Sequence, residues 1–250
     1  MAKTKARDLS KSDRALIAAK LSALAYKSDV QAEAKSMGFT KAEIISKDGA
    51  EVLVVRNKTD MWFAFRGTEP SKLNDVMADL KVFKNAAMAG GKVHGGFQQE
   101  LDDIWPEIVK ELSHNEKAKT SKDVYFTGHS LGAAMATISA TRYCPQELLT
   151  FGSPRVGGNK FIKNIKCTHY RFMNNNDIVC RLPPAWLGFR HHGDMIYFDC
   201  DGNRAAGPSW RDFFKGILQS WKRWKFFDAV VDHGMPNYVA AINNQAEGEK

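Results

Sequence analysis

No apolar run in this chain approaches the roughly 20 residues needed to span a bilayer, so no transmembrane helix is expected. The first residues, from Met1 to Arg14, are charged and polar and hold no apolar stretch of the kind a secretory signal needs. That predicts a cytoplasmic protein, or one exported by a route that reads no N-terminal signal. Cysteine is scarce. Four stand at Cys144, Cys167, Cys180 and Cys200, too far apart for a Cys-x-x-Cys zinc or redox motif. In a reducing compartment they are expected as buried free thiols. Internal repeats and low-complexity tracts are also missing, as are zinc-finger and ribonucleoprotein signatures. The formal charge of +8 is therefore read as solvated surface, and no nucleic-acid partner is expected.

What is present is an ordinary globular composition, 44% hydrophobic and 26% charged over 250 residues, enough to bury a core without staples. Strand-like and helix-like stretches alternate. Residues 1–9 read as a flexible start, and Ser12 can cap a helix running to about Tyr26. Glu51–Arg56 and Met61–Arg66 are β-rich runs separated by a turn, which predicts a hairpin. Phe97 to about Leu112 reads as a helix with Pro106 as a candidate kink. Val124–Thr127 is a short strand, followed by the Ala-rich Leu131–Tyr143. Glu147–Phe151, Thr168–Met173 and Met195–Phe198 are further strands, and Asn243–Lys250 a frayed tail. This alternation implies one α/β domain over 1–250 with a mostly parallel central sheet flanked by helices.

Gly128-His129-Ser130-Leu131-Gly132 fits Gly-x-Ser-x-Gly between a strand and a helix. A nucleophilic serine there sits on a sharp turn whose crowded backbone needs small residues two positions either side. The following helix N-terminus aims free N–H groups at a developing oxyanion. A serine hydroxyl needs a base. With the order serine, acid, histidine, the candidates after Ser130 are His169, His191, His192 and His233. His233 follows the last strand, in a loop that can carry a base over the turn. His191-His192 resembles a metal doublet, but adjacent side chains point apart, and a structural pair is expected. Asp177 lies just past a strand, where an orienting carboxylate belongs; Asp194, Asp199 and Asp201 share that rough position. Asp199 to Asn203 lacks the ligands of a calcium loop and reads as a tight turn.

Taken together, several segments resemble the class 3 lipase family, the α/β-hydrolases related to fungal lipases. They are Phe65-Arg66-Gly67-Thr68, Val93-His94-Gly95-Gly96-Phe97, the Ser130 motif, Thr150 to Gly157, Asn176-Asp177-Ile178-Val179 with Leu182-Pro183-Pro184, and Asp232-His233-Gly234-Met235 with Tyr238. They occur in the family's order and span about Val52 to Val239. The resemblance implies an α/β-hydrolase fold, Ser130 as nucleophile, Asp177 as orienting acid and His233 as general base. It implies an oxyanion hole at Thr68 and Leu131, structural roles for His94 and His129, and neither cofactor nor metal. Ala133 stands where the family often has a second glycine. The implied activity is that of a triacylglycerol lipase working through an acyl-enzyme. The alternatives are a phospholipase A1, a lid-poor carboxylesterase, or a non-enzymatic lipid-binding module.

Two segments bear on the implied acylglycerol or other lipid-ester substrate. Residues 69–92 occupy the place of a lid, but part of the stretch is polar. Ser209 to Asp228 places Trp210, Phe213, Phe214, Ile217, Leu218, Trp221, Trp224 and Phe227 at helical steps beside Arg211, Lys215, Lys222, Arg223 and Lys225. That pattern fits an amphipathic helical insertion over 209–228, either packed on the core or in peripheral contact with a lipid interface.

Overall fold

The computed structural model describes residues 5–68, 84–119, 121–208 and 232–248. The expected lid stretch lies outside them from 69 to 83, and the aromatic segment 209–228 lies outside them entirely. Ten strands are described: β1 (Lys41–Lys47), β2 (Ala50–Arg56), β3 (Asp60–Phe65), β4 (Lys84–Ala86), β5 (Lys92–His94), β6 (Asp123–His129), β7 (Glu147–Phe151), β8 (Thr168–Asn174), β9 (Asp194–Phe198) and β10 (Arg204–Ala205). Eight form one sheet in the order β1-β2-β3-β6-β7-β8-β9-β10, while β4 and β5 pair separately. From β3 through β9 every neighbour in that sheet is parallel. The antiparallel pairs are at its two ends, including the expected β2–β3 hairpin. The sheet is the mostly parallel α/β-hydrolase type.

The central strands are apolar at nearly every position because both faces are covered. In β2, Val52 and Val54 enter one core while Leu53 and Val55 enter the other. In β3, Phe63 and Phe65 go one way and Trp62 and Ala64 the other. Trp62 stacks on its cross-strand partner Tyr125 at 4.4 Å between ring centroids. Each fully buried side chain of this size contributes roughly 1.5–3 kcal/mol.

One face is covered by α1 (Lys11–Leu24) and the C-terminal α6 (Met235–Gly248), which pack on each other. The other is covered by α3 (Gly95–Lys117) and α4 (Leu131–Arg142). Shorter helices are α2 (Gln31–Ser36) and α5 (Asn159–Ile162). No helix among the described residues is long and apolar enough to cross a membrane.

Four expectations need correction. Ser10, not Ser12, caps α1, accepting from the Asp13 N–H at 3.0 Å, while Ser12 is buried. The described part of the chain start is anchored. The Ala6 N–H bonds the Asp60 carboxylate, and Arg7 pairs with Asp123. The tail is helical through Gly248 because Ala241, Ile242 and Ala246 recur at helical spacing and are buried. None of the four cysteines is in a disulfide among the described residues, and only Cys180 is fully buried.

Candidate active site

β6 delivers Ser130 at the start of α4. The serine holds φ +58° and ψ −128°, a conformation L-residues avoid, and its N–H is tied to the Phe151 carbonyl at 3.0 Å. The flanking glycines are dictated by contact. A Cβ on Gly132 would lie 2.0 Å from the Phe65 carbonyl oxygen, and one on Gly128 would lie 2.5 Å from the Gly132 oxygen. Leu131 is the first residue of α4, so its N–H has no partner within the helix. The loop leaving β3 lies alongside: a Cβ on Gly67 would sit 3.0 Å from the Ser130 Cβ. Thr68 is the next residue.

Asp177 follows β8 and is fully buried. Its Oδ2 accepts from His233 Nδ1 at 2.8 Å and from the Tyr238 hydroxyl at 2.6 Å, while Oδ1 accepts from the Val179 N–H at 2.9 Å. Burial pushes its pKa up. The adjacent His233, the bonds from His233 and Tyr238, and the nearby His129 outweigh that, and the net shift is downward. Asp177 is therefore ionised.

His233 is also buried, and its ring lies 4.4 Å from that of His129. The loop that carries it is pinned by the asparagine run after β8. Asn174 Nδ2 donates to the Asp232 carbonyl at 3.0 Å, and Asn175 Nδ2 and the Asn176 N–H donate to the Asp232 carboxylate at 2.9 and 3.2 Å. His233 Nε2 has no hydrogen-bond partner among the described residues.

The alternatives weighed for acid and base lie elsewhere. His169 bonds Thr150 and His192, and His191 bonds the Cys180 carbonyl. Asp194 is exposed, and Asp199 accepts from the N–H groups of Asp201 and Asn203 in the turn between β9 and β10.

The family profile described as class 3 lipase matches residues 62–186, half of the sequence. The chain belongs to the class 3 lipase family. Among its relatives, a secreted mono- and diacylglycerol lipase of Malassezia restricta is 29% identical over 172 residues, 61% of this chain and 53% of that one. The chain thus spans about half the length of that curated relative. The solved triacylglyceride lipase of Rhizomucor miehei superposes with a TM-score of 0.65 at 28% identity, over 76% of this chain and 81% of that one. A triacylglycerol lipase whose catalytic centre is described as a serine protease triad superposes at 0.63 with 25% identity, over 74% and 79%. The cytoplasmic expectation is overturned by the secreted relative. It rested on the composition of the first residues, which is a weak guide to a compartment.

The motif reading missed three residues. Gly152 has φ +57°, and a Cβ there would lie 2.7 Å from His233 Cε1 and 2.9 Å from Asp177 Oδ2. Tyr238 was part of a motif without a role; its hydroxyl donates to Asp177. Tyr26 gave no signal, because its partners are distant in sequence.

Proposed function

We propose that this protein is a secreted serine carboxyl-ester hydrolase that releases fatty acids from triacylglycerols. The observation that carries the reading is the strained Ser130 at the head of α4, beside a buried Asp177–His233 pair bonded at 2.8 Å. The lipase names of the relatives, acting on mono-, di- and triacylglycerols, support the substrate class.

In this mechanism His233 Nε2 takes the Ser130 proton as the hydroxyl oxygen attacks the ester carbonyl. Asp177 holds Nδ1–H, which keeps Nε2 free to accept, and it stabilises the imidazolium. The N–H groups of Thr68 and Leu131 receive the oxyanion, each worth about 3 kcal/mol in the transition state. His233 then protonates the departing alcohol, and water repeats the sequence on the acyl-enzyme. Residues 1–250 act as one domain. The stretches 69–92 and 209–228 are proposed as lid and as contact with the lipid surface.

The test is fatty-acid release from a short-chain triacylglycerol, titrated through its solubility limit, with Ser130→Ala beside it. Release that jumps when emulsion forms and vanishes in the variant is expected. Saturation below the limit would demote the lipid-surface contact and leave an esterase. Release that persists in Ser130→Ala would sink the serine mechanism.

A further inference from the structure

Tyr26 lies just past the end of α1, far in sequence from every residue of the triad, yet its hydroxyl reaches the site. It is 2.8 Å from His129 Nδ1, and His129 Nε2 is 2.7 Å from the carbonyl oxygen of His233. A carbonyl can only accept, so Nε2 carries the hydrogen. His129 is buried, and burial with the neighbouring His233 lowers its pKa to about 3, so the ring is neutral. A neutral ring protonated at Nε2 has a bare Nδ1, which can only accept. The Tyr26 O–H must therefore be the donor.

The other side of the same oxygen faces the loop before Thr68. The Gly67 N–H opposes the upward push that burial gives the Tyr26 hydroxyl. The packing is tight: a Cβ on Gly67 would lie 2.5 Å from the Tyr26 oxygen, 2.5 Å from the His129 carbonyl oxygen and 3.0 Å from the Ser130 Cβ. One phenol thus abuts the loop that offers the Thr68 amide, bonds the residue before the nucleophile, and through that residue holds the backbone of the base.

We propose that Tyr26 is a positioning residue that sets the oxyanion-binding loop at Gly67-Thr68 against the Ser130 turn, using its hydroxyl bond to His129. This rests on the serine-hydrolase reading above. Its contribution is to the tetrahedral state, not to substrate binding. Misplacing one donor by a fraction of an ångström costs on the order of 10- to 100-fold in rate.

Tyr26→Phe removes one oxygen and keeps the ring. Hydrolysis of a soluble ester should fall in kcat by about 10-fold or more with KM unchanged. The ester should then be compared with its thionoester, whose sulfur makes poor use of oxyanion-hole donors. The preference for the oxygen ester should shrink in Tyr26→Phe by about the factor lost from kcat. Unchanged kcat would overturn the proposal. So would a loss of kcat with the oxygen preference intact, which would place the defect at His233 or in general stability. Nitrogen NMR of wild-type His129 at pH 6 tests the same bond without a variant. A neutral ring protonated at Nε2 is expected, and protonation at Nδ1 would refute the donor assignment. Wild-type protein inactive on the ester would fail the underlying hydrolase reading, and the Tyr26 role with it.

Discussion

Ser130 and Gly152 are both held at positive φ, but only one of them was legible. The requirement on Ser130 is local, since its flanking glycines meet backbone within a few residues or on an adjacent strand, and such a pattern can be read from five letters. The requirement on Gly152 comes from His233 and Asp177, which the chain brings there only on folding. Gly152→Ala would put a methyl group inside the acid–base pair and strain the backbone as well. We expect kcat/KM to fall by about 100-fold, as for other displacements of around an ångström. Ester hydrolysis by the purified variant is the measurement; wild-type kinetics would show that the base has room to yield. The pairing of Asp177 with His233 was legible for a different reason. Each sits where the order of strands and loops places an acid and a base, and the resemblance selected the same residues. Tyr26 carries no such mark, because a tyrosine after a helix is common and only tertiary contact gives it work.

Among elements, the legible ones were those whose apolar pattern does not depend on distant partners. β7 falls on the expected Glu147–Phe151, and α4 ends one residue short of the expected Tyr143. β1, Lys41–Lys47, was missed because it is an edge strand whose residues are only partly buried or exposed, so it lacks a hydrophobic run. The start of α1 was misjudged by two residues because two serines compete for the cap, and Ser10 wins by bonding both the N–H and the carboxylate of Asp13. That helix is fixed to the sheet by Arg14, which grips Glu147 with two nitrogens at 2.9 and 3.1 Å and the Leu9 carbonyl with a third. The bond to Glu147 is also the first cause of the raised Arg14 pKa. Arg14→Met should cost about 2 kcal/mol, because it leaves a mostly buried carboxylate without its charged partner. Adding Glu147→Leu should restore part of the loss in thermal unfolding. A single variant that melts with the wild type would show the grip to be idle.

At the scale of the whole molecule, the polar interior sets a preference in pH. His129, buried, and His191, half-buried, are both neutral, with pKa values lowered to about 3 by burial first, then by His233 for the one and Arg171 for the other. A histidine with a lowered folded pKa is protonated in the unfolded chain first, so its contribution is complete above the unfolded value near 6.5 and is lost as pH falls below it. Each can remove up to about 1.4 kcal/mol per pH unit from there toward pH 3. Asp177 acts lower. Its folded pKa is depressed, so its contribution is present above the usual carboxylate value and disappears as pH falls through the folded one. Urea midpoints should therefore drop between pH 6.5 and 4.5, and equal midpoints over that window would contradict the neutral histidines.

The sheet also has a history in time. A ribosome delivers Ser130 roughly a hundred residues before His233. Until then the base proposed for Ser130 does not exist. His233 gains its setting only when Asp232 docks on Asn174, Asn175 and Asn176 and α6 closes on α1. On the proposed mechanism, a nascent chain of this kind would be silent toward the lipids of the cell that makes it, and its final helix would arm it.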